Sequence, residues 1–204
     1  MIVEIVTTGT ELLLGQVVNT NSAYLASQIN KLGFDVLYQS TVGDNKARMK
    51  EILLVALNRA DIIITTGGMG PTQGDITKEI TADVCNRSLH LHEPSLANIE
   101  RYFAKLKRTM VESNIRQAMI PESAVVLENY CGTAPGVVLE HNGKLIINLQ
   151  GPPRELKMMF EKCLKPFLIE KFGCDKVIMS RILNTYGIGE SLLEEKIKDL
   201  ILQQ

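Results

Sequence analysis

The spacing of apolar residues changes period several times along the chain, and each change predicts an element. Ile2 to Val6 reads as a first strand with one acid, Glu4, inside it, and it runs into a polar turn at Thr7, Thr8, Gly9, Thr10 and Glu11. Leu25, Ile29 and Leu32 recur at four and then three residues, which predicts a helix capped by Ser22 and stopped by Gly33. Phe34 to Val42 is a second strand, closed by Gly43, Asp44 and Asn45. Met49, Ile52, Leu53 and Ala56 then restore helical spacing. Ala60 and Ile62 to Ile64 make a run with no polar face, as in a strand buried on both sides of a parallel sheet, and Ile76, Ile80 and Val84 resume a helix. This β-α-β-α-β order with short connections predicts three parallel strands joined by right-handed crossovers.

Further along, Glu93 to Met110 carries a helical apolar stripe with Pro94 near its start. Its Arg101, Lys105, Lys107 and Arg108 read as a solvated face. Ala124 to Leu127 is a short strand, and Gly132 to Gly136 a rigid turn. Val137–Glu140 and Leu145–Leu149 flank His141-Asn142-Gly143-Lys144, a strong hairpin signal. Pro152 and Pro153 suit the first turn of another helix. Lys176 to Leu183 reads as a strand, and Ser191-Leu192-Leu193-Glu194 as a capping box opening a helix through Ile197 and Ile201. One strand and one helix cannot bury their apolar faces alone. Residues 1–172 are therefore expected to form the main domain and 173–204 a strand-helix appendage that either packs on it or starts a second small domain, in a homo-oligomer.

Composition narrows the class of partner. The 204 residues are 45% hydrophobic, enough for one sizeable core. With 22 basic and 23 acidic residues, a net charge of -1 and no dense basic run, neither nucleic acid nor an anionic membrane is expected. A nucleotide-type small molecule is the expected partner. Cys85, Cys131, Cys163 and Cys174 form no CxxC pair, which fits reduced thiols in the cytoplasm. His90 and His92 lie two apart with no third ligand in view. Neither a signal peptide nor an apolar run of about 20 residues is present.

The candidate chemistry follows from topology. In an open α/β sheet, ligands bind beyond the carboxyl ends of the strands, so the turns carrying Glu11, Asp44 and Asp75 converge. Gly67, Gly68 and Gly70 lie between a strand and a helix N-terminus, where bare backbone amides can approach a phosphate. The loop lacks the Lys and Ser/Thr of a P-loop and the spacing of the dinucleotide fingerprint. Three carboxylates beside an anion loop predict a hard-metal or general-base site. Asp75 also has a second reading as a helix cap. Arg154 could bind a second phosphate or a neighbouring acid.

Six ordered segments carry a resemblance: TTGTELLLGQVVNTN (7–21), VGDN (42–45), TTGGMGPTQGDITKE (65–79), NIRQAMIP (114–121), GTAPGVVL (132–139) and GPPRE (151–155). They are similar to the amino-terminal domain of the CinA competence/damage-inducible family, which shares the molybdopterin-binding fold. The resemblance implies a three-layer α/β/α domain with a mainly parallel sheet. It also implies hydrolysis of the ADP-ribose pyrophosphate to AMP and a sugar phosphate with a divalent cation. On it, Asp44 and Asp75 are the catalytic pair and metal ligands, and the convergence of the turns adds Glu11 as a third metal ligand. Thr8, Gly9, Gly67, Gly68, Gly70, Thr72, Thr77, Gly132, Pro152 and Arg154 are the expected substrate contacts. Molybdopterin binding, adenylyl transfer and non-enzymatic binding of a nucleotide or protein are the alternatives. Two departures stand out. Gly74 replaces the first of two consecutive aspartates found in many members, and the amidohydrolase domain that follows in full-length relatives lies outside these 204 residues.

Overall fold

A computed structural model describes residues 1–173 and 184–201. The predicted β-α-β-α-β core is present: β1 (Ile2–Thr8), a short helix α1 (Thr10–Leu13), α2 (Thr20–Lys31), β2 (Asp35–Val42), α3 (Lys46–Arg59) and β3 (Ile62–Thr66). After it come α4 (Thr77–Val84), β4 (Leu89–Leu91), α5 (Glu93–Lys105), a 3-10 turn over Glu112–Ala118, β5 (Met119–Pro121) and β6 (Val125–Leu127). The hairpin strands β7 (Gly136–His141) and β8 (Lys144–Leu149) lead to α6 (Pro153–Met159), a π turn over Phe160–Leu164 and α7 (Lys165–Phe172). Beyond residues 174–183 lie α8 (Glu190–Lys196) and α9 (Lys198–Ile201).

The main sheet has the order β2-β1-β3-β8-β7-β6, and β4 and β5 form a separate antiparallel pair. β1 pairs in parallel with β2 and β3, and β3 with β8, while β7 and β6 run antiparallel at one edge. Alternation along β3 makes the three layers. Ile62 and Ile64 point into one core with Leu25 and Ile29 of α2 and Leu156, Met159 and Leu168 of α6 and α7. Ile63 points into the other, with Met49, Leu53 and Ala56 of α3 and Ile80 of α4. Each such side chain contributes roughly 1.5–3 kcal/mol by leaving water, which is why β3 tolerates no polar residue until Thr65. Glu4, fully buried in β1, is held by Arg59 at 2.7 and 2.8 Å and by the Ser40 hydroxyl at 2.7 Å. A charge inside a strand is tolerated here because it is paired and hydrogen-bonded.

Several local expectations are corrected. Asn19, not Ser22, caps α2, accepting from the Ser22 amide at 3.1 Å. The helix expected to reach Met110 stops at Lys105, where Lys107 adopts a left-handed φ of 54°. The polar turn after β1 contains α1. The capping box at Ser191 does not form: α8 starts after Gly189 with no side-chain cap and ends at Lys196. The strand expected at Lys176–Leu183 lies outside the described residues. The hairpin at His141–Lys144 is confirmed, with Asn142 and Gly143 both at positive φ as a two-residue type I′ turn demands. Among the described residues no helix is long and apolar enough to cross a membrane.

Candidate functional site

The turns after β1, β2 and β3 meet in one cavity of about 410 Å³ at the carboxyl edge of the sheet. Glu11, Asp44 and Asp75 all line it, together with Thr8, Gly9, Gly67, Gly68, Thr72 and Pro152. The predicted convergence of the three acids is therefore present. A smaller adjoining space of about 260 Å³ shares Gly68, Asp75, Gly151 and Pro152 with the first and takes in Gly70, Gln117 and Glu155. Thr77 stands behind the loop, its hydroxyl donating to the Gly67 carbonyl at 2.8 Å. Two expected contacts lie elsewhere. Gly132 lines a separate cleft, and Arg154 is exposed and borders neither of the joined spaces.

Both aspartates have a structural partner. Asp44 Oδ2 accepts from the Thr10 amide at 3.1 Å and the Thr10 hydroxyl at 2.9 Å, tying the start of α1 to the end of β2. Asp75 Oδ2 accepts from the Thr72 amide at 2.9 Å and the Thr72 hydroxyl at 2.6 Å. Asp75 is thus not a helix cap. α4 begins at Thr77 after Ile76, with no side-chain cap, because the loop turns the carboxylate back over its own first half.

The glycines serve the loop itself. A β-carbon at Gly67, where φ is 104°, would sit 2.5 Å from the Thr8 carbonyl oxygen. At Gly68, where φ is 62°, it would strike the Thr77 hydroxyl, and at Gly70 it would lie 2.7 Å from Asp75 Oδ2. They let two loops cross tightly rather than merely clearing space for a ligand. The crossing still leaves the Gly68 and Gly74 amides, both on the cavity wall, without a hydrogen-bond acceptor among the described residues.

The polar Asn114-Ile115-Arg116-Gln117 segment holds the loop from behind. Arg116 donates to the Thr72 carbonyl at 2.8 Å and the Asp75 carbonyl at 3.3 Å, and pairs with Glu79 at 2.8 Å. Lys78 is buried and donates to the Arg116 and Gln117 carbonyls at 3.2 and 2.6 Å. Burial, opposed by Glu79 and reinforced by Arg116, pushes its pKa down to about 8.

Cavity residues that periodicity missed are Asn19, Thr20, Asn21 and Thr66. Asn21 donates to the Thr66 hydroxyl at 3.2 Å and the Gly151 carbonyl at 2.7 Å. Their sequence signals are a polar Asn-Thr-Asn run at the start of α2, within the 7–21 segment, and the place of Thr66 within the 65–79 segment. Exposed Val17 and Val18 form an apolar rim with Leu12, Pro152 and Pro153.

The sheet order, with a ligand-sized cavity beyond parallel strands and a carboxylate-bearing glycine loop, defines a ligand-binding α/β domain of the open parallel-sheet class. Comparison with known proteins agrees. Residues 4–170 match the family described as a probable molybdopterin binding domain. The MoaB molybdopterin biosynthesis enzyme of Thermus thermophilus has the same fold, with a TM-score of 0.56 at 23% identity over 83% of this chain and 92% of that one. The structure of the protein CinA from Thermoplasma acidophilum is nearer: TM-score 0.75 and 31% identity, over 81% of this chain and 98% of that one. A competence-damage inducible protein of Caldicellulosiruptor bescii is 50% identical over 204 residues, which is 100% of this chain and 49% of the relative. The chain belongs to the molybdopterin-binding domain family and, within it, to the CinA competence-damage inducible group. It spans about half the length of the curated relatives it matches.

Proposed function

We propose that the cavity binds a phosphorylated flat heterocycle of the molybdopterin type. The observation that carries this reading is the pairing of free Gly68 and Gly74 amides with an apolar rim of Val17, Val18 and Pro152 in one cavity. Amides and threonine hydroxyls suit phosphate oxygens, and the rim suits a ring face. The cavity lining holds three carboxylates and no Lys, Arg or His. A bare phosphate would be repelled there, so the ligand enters with a cation. Among the described residues no group of three or more His, Cys, Asp or Glu is placed to hold a metal by itself. Two aspartates, each with one oxygen already engaged, match instead the habit of magnesium, which takes one or two carboxylates together with substrate phosphates. Asp44 and Asp75 would hold such a cation, with Glu11 beside them.

A second reading, cleavage of a nucleotide pyrophosphate such as that of ADP-ribose to AMP and a sugar phosphate, is favoured by the placement of both aspartates on the same wall as the free amides. The cation would supply charge neutralisation and polarisation of phosphorus. The chain's own residues would orient the phosphates through the loop amides and keep the two aspartates apart through Thr10 and Thr72. A cytoplasmic location and assembly with further copies of the chain belong to the same proposal.

The test is a fluorescence titration with a pterin phosphate, with and without magnesium. A saturable binding phase that is present with magnesium and lost in chelator supports the reading, and titrations that are the same with and without the cation overturn the shared-cation part. Incubation with ADP-ribose under several divalent metals, with product analysis, decides the second reading: AMP release supports it, and its absence under all of them removes it.

A further inference from the structure

We infer that the cleft between α5 and the loop at 128–135 is a second, metal-independent binding site for a nucleotide-sized aromatic anion. The cleft encloses about 580 Å³, larger than the carboxylate-lined cavity and within the range of small-molecule sites. Asn98, Arg101, Tyr102 and Lys105 recur at helical spacing, so one face of α5 supplies a whole wall. That face is solvated, as the sequence reading has it, and it also borders Glu128, Asn129 and Tyr130 across the cleft. Neither Arg101 nor Lys105 has an ion-pair or hydrogen-bond partner among the described residues, whose salt bridges use other cations. One carboxylate, Glu128, shares the lining with the two cations, so the cleft keeps a net positive charge.

The two cavities therefore differ in sign. The first joins three carboxylates and no base, whereas the second joins two unpaired cations to two half-open tyrosine rings. An aromatic base stacks on a tyrosine face, and a phosphate takes a fork of hydrogen bonds from Arg101 and a point charge from Lys105. Ser95 and His92 are already engaged with one another at 2.8 Å and close the far end of the wall. The ligand class is a mononucleotide or a molecule of the same chemistry, a ring joined to a phosphate.

The test is calorimetric titration of AMP into the full chain in EDTA. Wild-type protein binds one AMP saturably, adenosine and inorganic phosphate each bind more weakly, and raised salt weakens the AMP complex. The double substitution Arg101→Gln/Lys105→Gln weakens AMP binding at least tenfold, while Asp75→Asn leaves it unchanged. Tyr130→Leu, on an exposed loop position, weakens it independently and covers the case in which the double variant folds poorly. Absence of saturable binding in EDTA, equal affinity in the charge-removed variant, or loss of binding in Asp75→Asn would overturn the inference. Because magnesium is absent throughout, the outcome is separate from that of the proposed function.

Discussion

The two cavities of this domain are built in different ways. Walls of the carboxylate-lined cavity also hold the fold: Asp44 ties down Thr10, Asp75 ties down Thr72, Asn21 ties Gly151 to Thr66, and Gly67 lets Thr8 cross beneath it. The basic cleft is walled on one side by a helix whose Arg101 and Lys105 hold nothing. A residue bound into the scaffold cannot lose its hydrogen bonds or its small size without disturbing the sheet ends; a residue in the cleft can change freely. Function and stability are therefore coupled in the first site and separable in the second.

Glycine substitutions should break this contrast most sharply. At Gly67, alanine would meet a backbone carbonyl 2.5 Å away at a positive φ, and neither can yield. Gly67→Ala should cost about 2–5 kcal/mol by denaturant unfolding. At Gly132 the obstacle is the end of the Glu155 side chain, which can swing aside. Gly132→Ala should cost less than about 1 kcal/mol. Equal losses at the two positions would dissolve the distinction between scaffold and cleft.

The clamp behind the glycine loop gives the next effect. Lys78 titrates near pH 8 when folded, against 10.5 for an ordinary lysine, so between these values the unfolded chain binds the extra proton. Stability from this group is fully present above about pH 10.5 and is lost as pH falls through about 8, over a span on the order of 3 kcal/mol. Comparing wild type with Lys78→Met at pH 7.5 and 10.5 isolates it. The difference between the two proteins should shift in favour of wild type at the higher pH, and a constant difference would show that Lys78 is not buried as a cation.

Asp75→Asn sharpens the comparison from the functional side. Asparagine keeps the oxygen that accepts from Thr72, so stability should fall by less than about 1 kcal/mol. The lost charge should weaken magnesium-dependent ligand binding at least tenfold, because hard cations prefer charged oxygen ligands. A variant with unchanged cation dependence would confine Asp75 to its hydrogen bonds with Thr72.

The smallest effect belongs to the far end of the chain. α8 and α9 contain no buried residue, and Leu192, Leu200 and Ile201 are exposed. Removing residues 184–204 should change domain stability by less than about 0.5 kcal/mol, while light scattering reports whether the exposed stripe joins copies of the chain. A large loss of stability would place these helices against the main domain.

Much was legible from the residues alone, because period and topology are local or nearly so. The unbroken apolar run at Ile62–Ile64 could be stable only between two layers, and short connections allowed only parallel strands. Once those strands were parallel, Glu11, Asp44 and Asp75 had to emerge at one edge. The Asn142-Gly143 hairpin was equally readable, since both residues accept positive φ. What stayed hidden concerned partners distant in sequence. Asp75 looked like a helix cap because a carboxylate before a helix commonly is one; only the folded loop turned it onto Thr72. Arg116 showed no purpose until the 3-10 turn brought it 2.8 Å from the Thr72 carbonyl, 44 residues away.

The sequence by itself thus determined the layers, the strand directions and the edge at which the acids gather, since hydrophobic burial and chain connectivity leave few alternatives. Tertiary structure alone decided which side chains remain free to meet a ligand. Asp44 and Asp75 each spend an oxygen on a threonine, Arg116 is taken up by the loop carbonyls and Glu79, and Arg101 and Lys105 are left unpaired. Such pairing depends on distances of about 3 Å between loops and helices that share no local sequence signal.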